Sequence, residues 1–366
     1  MHVRFLSKSF GRSSGRPAVR EGGVLVLFVL LATLAGGAGR ADVAPAGIDM
    51  TLGMPSEAVL AAAGGADDDI RDCNAGCTTV GTDDVWVVST RRLPETCRMP
   101  ATAHVAVERH VPVAGGGRWM PADLDTLLAD AEVPWCIFIH GNRYEASDAR
   151  SQGLRLASHL AARHPAPPRV RTVVLSWPSG RTTLPLRDGR LKYDRAHTDA
   201  HYLAWLLGQV EPTRPVAIIA YSFGTIIALE ALDDLADAER QGRTDVQPWT
   251  NRPGRTHLVF VAAAVRCDAL APAGPYRRGI AGVDRITLVL NSQDNALRYF
   301  PWIDRRLRAD ALGFVGMPPQ WLPAGVEFAA TDAATIVGHQ HGFTNYLTSP
   351  TLTTRIATGA FDGLAP

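Results

Sequence analysis

Ser222 lies in Ala220-Tyr221-Ser222-Phe223-Gly224, between an apolar run at 216–220 and an amphipathic stretch at 225–240. A strand that turns sharply into a helix at a serine lifts the hydroxyl above the sheet edge, the setting of a serine nucleophile. Small residues two positions before and after the serine let strand and helix approach closely. Gly224 meets this need, and Ala220 stands where glycine is usual, one methyl larger. An ordinary strand–helix turn that contains a serine is the alternative.

A serine hydroxyl is a weak nucleophile; it needs a base, and the base needs an orienting acid. The order Ser, Asp, His along the chain is the one expected when the serine sits on such a turn. Asp294 follows the apolar run 286–290, in Asn291-Ser292-Gln293-Asp294, and is the preferred acid. Asp268, after the preceding run, is its rival. The base is sought in Gly338-His339-Gln340-His341-Gly342-Phe343. His341 is preferred over His339 because it directly precedes Gly342 and the start of a last helix. The oxyanion of an acyl-transfer intermediate needs two N–H donors. The backbones of Phe223, at the helix start, and of Asn142, in His140-Gly141-Asn142-Arg143, are the candidates. His140 is expected to orient that loop and not to act as a base.

These residues must be carried by a sheet. Strands are predicted over 85–89, 103–107, 136–139, 170–176, 216–220, 258–262, 286–290 and 326–330. Several are apolar at consecutive positions, as strands covered on both faces are. Helices are predicted over 146–163, 194–210 and 225–240, with a last one opening at 343–347 and interrupted by Pro350. The alternation implies an α/β fold, a three-layer αβα sandwich around a mostly parallel sheet. Residues 180–193 and 241–255 are expected to be polar insertions bearing proline and glycine, and 298–324 a third long insertion.

A strand ending in a His-Gly loop, the strand end Ser176-Trp177-Pro178-Ser179, the elbow at Ser222 and the late Asp294 and His341 form a set. Together they resemble the α/β-hydrolase superfamily, and within it a bacterial branch with these motifs. The resemblance spans roughly residues 84–350. It implies a serine hydrolase with Ser222 as nucleophile, His341 as base, Asp294 as acid, and Asn142 and Phe223 as oxyanion donors. The activity expected is hydrolysis of a carboxylic ester through an acyl-enzyme. The alternatives are an acyltransferase using the same triad and a non-catalytic binding domain that kept the fold. No cofactor and no metal are expected: there is no nucleotide-binding glycine motif, and neither Cys73-x₃-Cys77 nor His339-x-His341 has a completing ligand set.

The partner expected is a small-molecule or lipid-like ester. Trp177, Tyr221, Phe223, Tyr299, Phe300 and Trp302 are candidates to line its pocket, about half of them expected in the core instead. Arg181, Arg187 and Arg190 are expected in a solvated insertion, with contact to an anionic substrate or lipid head group as the alternative. Nucleic acid is not expected as a partner, since 37 basic residues balance 36 acidic ones in the 366-residue chain.

The charge is nevertheless uneven. Residues 1–41 hold six basic groups against one acidic, a net of +5, and the remainder carries −4. An apolar stretch at 24–35 follows the basic segment, and small residues follow it, the pattern of a secretory signal peptide. A membrane anchor formed by residues 24–35 is the alternative, but twelve helical residues span only about 18 Å. The expected organisation is therefore a signal peptide or anchor over 1–41, a linker over 42–83, and a hydrolase domain over 84–366 that is exported. Export would permit a disulfide among Cys73, Cys77 and Cys97. Cys136 and Cys267 are expected as small core residues.

Overall fold

The computed structural model describes residues 84–364 except 114, 115, 165–168 and 183. The basic N-terminal segment, the stretch 42–83 and with it Cys73 and Cys77 lie outside the described residues. Nine strands form one sheet: β1 (Val85–Ser89), β2 (Ala106–Val113), β3 (Gly116–Ala122), β4 (Trp135–Ile139), β5 (Arg171–Ser176), β6 (Val216–Tyr221), β7 (Thr256–Val261), β8 (Arg285–Leu290) and β9 (Glu327–Asp332). Their order is β3-β2-β1-β5-β4-β6-β7-β8-β9. At one edge β2 pairs antiparallel with both β1 and β3, and every other neighbouring pair is parallel.

The helices are α1 (Leu124–Leu128), α2 (Ala146–Arg163), α3 (Pro185–Leu207), α4 (Gly224–Arg240), α5 (Asn295–Arg298), α6 (Leu312–Val315), α7 (Ala334–Val337), α8 (Phe343–Thr348) and α9 (Pro350–Phe361). α3 packs on α4 and α2 packs on α9, so that helices cover both faces of the sheet. Every residue of β4, β5, β6 and β7 is buried. Such strands cannot alternate polar with apolar, which is why their centres read as consecutive apolar residues, with polar residues only at the ends of β5 and β7. None of the described helices is long and apolar enough to cross a membrane.

The departures from expectation lie at the edges and at the insertions. The run at 103–107 is mostly not strand; β2 starts at Ala106 and continues into β3, an edge hairpin that the sequence did not signal. β3 reads GGRWMPA and is largely exposed, so it has no apolar face to announce it. The polar stretch expected as an insertion over 180–193 is helical from Pro185: α3 begins there and not at 194, with proline in its first turn, where the missing N–H costs nothing. α3 also ends at Leu207 and not at 210. Pro350 does not interrupt the last helix but opens α9, N-capped by the Ser349 side chain, which accepts from the Leu352 N–H. Cys136 is buried, whereas Cys267 is only half-buried and Cys97 is exposed. No disulfide forms among the described residues.

Parallel pairing decides where the loops of interest meet. Ile139 is in register with Ala220, Tyr221 with Val261, Val261 with Val289 and Leu290 with Asp332. The segments that follow β4, β6, β8 and β9 therefore all leave the same carboxyl edge of the sheet, where open α/β sheets hold their ligands.

Candidate active site

Ser222 follows β6 directly and has φ +53°, in the left-handed region that non-glycine residues avoid. Both backbone groups hold it there. Its N–H donates to the Val261 carbonyl (3.1 Å), and its carbonyl accepts from Thr225 (3.1 Å) and Ala264 (3.2 Å). The turn requires Gly224: a Cβ at that position would lie 2.3 Å from the Ile139 carbonyl oxygen of the neighbouring strand. Ala220, in the middle of the sheet, is fully buried.

His341 Nε2 lies 2.9 Å from Ser222 Oγ, and His341 Nδ1 lies 2.7 Å from Asp294 Oδ2. The Asp294 side chain is fully buried, and its other oxygen, Oδ1, accepts the N–H groups of Ala296 (2.8 Å) and Leu297 (3.1 Å), capping α5. A carboxylate so occupied can turn only Oδ2 toward the imidazole. Since a carboxylate only accepts, Nδ1 carries the proton and Nε2 is left to accept from the serine hydroxyl.

Asp268 is elsewhere engaged. It forms a two-point pair with Arg266 (2.9 and 2.6 Å), and its side chain is 44% exposed. His339 is exposed, and its Nδ1 meets the Gln293 carbonyl at 2.9 Å.

The segment that carries His341 is tied down by residues to which the sequence reading gave no such role. The buried Asn291 donates from Nδ2 to the carbonyls of Gly338 (2.8 Å) and Gln340 (3.2 Å). The Tyr221 hydroxyl donates to the His341 carbonyl (2.7 Å). Two residues further on, the fully buried Phe343 stacks on Phe138 and packs against the Tyr221 ring, with centroid distances of 4.9 and 5.0 Å. Burying a phenylalanine side chain is worth about 1.5–3 kcal/mol, enough to dock a short segment. Asn291 and Tyr221 are each within three residues of a candidate, but nothing in their residue types announces a tether.

The loop after β4 runs against the serine. A Cβ on Gly141 would lie 2.8 Å from Tyr221 Cε1 and 2.9 Å from Ser222 Cβ, so only glycine admits this approach. Asn142 comes next. Its Nδ2 donates to Asp188 Oδ2 (3.2 Å) and its Oδ1 accepts from the Arg143 N–H (2.8 Å). The Phe223 N–H stands at the start of α4, among the amides that have no carbonyl partner within the helix.

The Ser176–Ser179 strand end braces this loop. The Trp177 indole donates to the His140 carbonyl (2.8 Å), the Ser179 carbonyl accepts from the Arg143 N–H (2.8 Å), and the Ser179 hydroxyl donates to the Tyr144 carbonyl (3.1 Å). His140 is fully buried between the rings of Tyr144 and Trp177. Its Nδ1 lies 2.9 Å from the Gly141 carbonyl, which can only accept, so Nδ1 holds the proton. Burial pushes its pKa down to about 3 and keeps the ring neutral.

Trp177, Tyr221, Phe223 and Phe300 are buried, while Tyr299 and Trp302 are half-buried. Tyr193 of α3 packs edge-on against both Phe223 and Phe300, with centroids 6.0 Å apart in each case. A cleft of about 830 Å³, bordered by Met99, Asp234 and Arg243, is lined by none of the residues above. Among the described residues, no three His, Cys, Asp or Glu side chains gather as metal ligands would.

A nine-stranded, mostly parallel sheet with helices on both faces and a strained serine between β6 and α4 defines the α/β-hydrolase class. Within it, the chain belongs to the family described as alpha/beta hydrolase of unknown function (DUF900), which matches residues 122–314. That match includes Asn142, Ser222 and Asp294 and ends before His341. No curated protein matches the chain. Among solved structures it is similar to an esterase from Pyrobaculum calidifontis, at 13% identity over 72% of this chain and 87% of that one, with a TM-score of 0.33. Esterase B from Lactobacillus rhamnosis is 17% identical over 73% of this chain and 80% of that one, with a TM-score of 0.34. The thermostable carboxylesterase EstE1, from a metagenomic library, is 14% identical over 69% and 88%, with a TM-score of 0.29.

Proposed function

We propose that the protein is an exported serine hydrolase that cleaves a carboxylic ester through a covalent acyl-enzyme. The observation that carries this reading is the unbroken run of hydrogen bonds from Ser222 Oγ through His341 to Asp294. In the proposed reaction, Ser222 Oγ attacks the acyl carbon while its proton passes to His341 Nε2. Asp294 accepts from His341 Nδ1–H throughout and stabilises the imidazolium that forms. The N–H groups of Asn142 and Phe223 receive the oxyanion. As the tetrahedral intermediate collapses, the bond to the leaving alcohol breaks and His341 returns the proton to it. A water molecule then attacks the acyl-enzyme by the same route in reverse, releasing the carboxylic acid and restoring Ser222.

The strained backbone at Ser222 supports the same reading. A left-handed serine costs about 1 kcal/mol or more, and such strain gathers at functional sites. Export rests on the basic, apolar and small-residue succession over residues 1–41. The test is labelling of the full chain with a fluorophosphonate probe. Wild type is expected to label at a single site that S222A loses, and equal labelling of the two would remove Ser222 from the role.

A further inference from the structure

Arg143 follows Asn142 in the loop that touches Ser222, and three independent features set it apart. Its φ is +68°, a left-handed backbone that glycine adopts freely and arginine does not. Its Nε is buried yet meets no hydrogen-bond acceptor among the described residues. Its charged neighbours are Asp188 and the exposed Arg181, which acts on it as a like charge, and neither forms an ion pair with it among the described residues.

The nearby carboxylate does not pair with Arg143. Asp188 is buried, and its oxygens already accept from Thr182 N (3.0 Å), Thr182 Oγ1 (2.8 Å) and Asn142 Nδ2 (3.2 Å). Burial and the Arg181 charge together hold the Arg143 guanidinium below its ordinary pKa, with Asp188 opposing them in part. Arg143, strained, with its Nε short of an acceptor and with no carboxylate paired to it among the described residues, is suited to receive an oxyanion, because a guanidinium fork matches a carboxylate or phosphate on two points.

We infer that Arg143 binds a negatively charged oxygen group carried by the ester itself, and that the preferred substrates are anionic esters with a carboxylate or phosphate near the cleaved bond. The inference rests on the proposed hydrolase reading and extends it to substrate class. Arg143 is then a specificity-determining residue, whose hydrogen bonds to the charged group distinguish an anionic ester from its neutral counterpart. Its backbone is held in place by its N–H, which donates to the Ser179 carbonyl and to Asn142 Oδ1 (2.8 Å each).

The test compares matched ester pairs on the full chain: monomethyl glutarate against methyl pentanoate, and 1-butyrylglycerol 3-phosphate against 1-butyrylglycerol. For at least one pair, wild type is expected to favour the anionic member in kcat/KM by about tenfold or more, and R143Q to lose most of that preference. A preference confined to the glutarate pair identifies a carboxylate, and one confined to the glycerol pair a phosphate. R143G, which relieves the backbone strain, is expected to be at least as stable as wild type and equally indiscriminate, a result that a purely structural role for the side chain does not produce.

Thermal stabilisation of S222A by monomethyl glutarate, but not by methyl pentanoate, reads the oxyanion site without turnover. If wild type labels at Ser222 but treats charged and neutral esters alike, the inference is overturned and the hydrolase reading stands. If Ser222 does not label but S222A still binds the anionic ester and R143Q/S222A does not, the hydrolase reading falls and the oxyanion site remains.

Discussion

The Asp294→Asn substitution gives the most discriminating test of the proposed chemistry, because the surroundings of Asp294 dictate how the new side chain must sit. Oδ1 accepts two backbone N–H groups, from Ala296 and Leu297. An amide NH₂ cannot accept, so the asparagine carbonyl oxygen must take that position to keep the cap on α5. The NH₂ group is then turned toward His341 Nδ1, now 2.7 Å from a carboxylate oxygen. Two N–H donors cannot face each other at that distance, and the imidazole responds by moving its proton to Nε2. A protonated Nε2 no longer accepts the Ser222 hydroxyl proton.

The expected loss in kcat/KM is about 10³–10⁴-fold, or roughly 4–5.5 kcal/mol of transition-state stabilisation, the scale seen when the same swap sets the wrong tautomer in serine proteases. Stability behaves differently. D294N keeps the cap and is expected to melt close to wild type, whereas D294A loses it and is expected to be about 1 kcal/mol less stable. Steady-state hydrolysis of a 4-nitrophenyl ester, with melting curves for both variants, measures the two effects separately. A D294N enzyme within about tenfold of wild type would refute the assignment of Asp294 as the orienting acid.

Exchanging the two late histidines separates their roles: H341Q is expected to lose about 10³-fold or more in kcat/KM, and H339Q to stay within a few-fold, measured on the same ester. Truncating Asn291 to alanine frees the Gly338 and Gln340 carbonyls, and is expected to lower kcat by about tenfold or more while fluorophosphonate labelling slows in parallel. G224A forces a methyl against the Ile139 carbonyl and is expected to cost about 3 kcal/mol or to abolish soluble expression, read by urea denaturation. His140 supplies a pH prediction. Its folded pKa of about 3 lies below the unfolded value near 6.5, so the folded state binds fewer protons, and acidification through that window destabilises it by about 1.4 kcal/mol per pH unit. H140N keeps a donor for the Gly141 carbonyl but does not titrate. The stability gap between wild type and H140N should therefore shrink by about 2 kcal/mol between pH 6.5 and 5, and a gap independent of pH would sink the assignment of a buried neutral ring.

Much of the fold is legible because each buried parallel strand must be apolar on both faces. The runs at 136–139, 216–220 and 258–262 match β4, β6 and β7 to within two residues at each end. The α/β class follows from their alternation with helices. The β2–β3 hairpin escapes notice for the opposite reason: an exposed edge needs no apolar pattern, and β3 combines two glycines and a proline with an arginine. The first turns of α3 are hidden by Pro185, Gly189 and a charged outer face, which resemble loop composition until a partner segment is seen to cover one side. There, Gly189 packs near Ile303 and Arg190 reaches Trp302.

Around Ser222, the local requirement is written in consecutive residues. A serine on a left-handed turn needs a glycine two positions on, because the helix it opens lies against the adjacent strand, and Gly224 is there. Nothing so local selects between His339 and His341, or between Asp268 and Asp294, since each pair has suitable chemistry on a suitable loop. His341 stands 119 residues from Ser222 and 47 from Asp294, and what brings one member of each pair within hydrogen-bonding distance is the packing of the intervening chain. The parallel register of β6 through β9 delivers both loops to one edge, Asn291 and Phe343 hold the imidazole's segment in place, and the cap of α5 leaves Asp294 a single oxygen to offer. Residue types and neighbours specify which groups are able to react; distances between loops far apart in the chain are set by the sheet, because only its pairing converts sequence separation into ångströms.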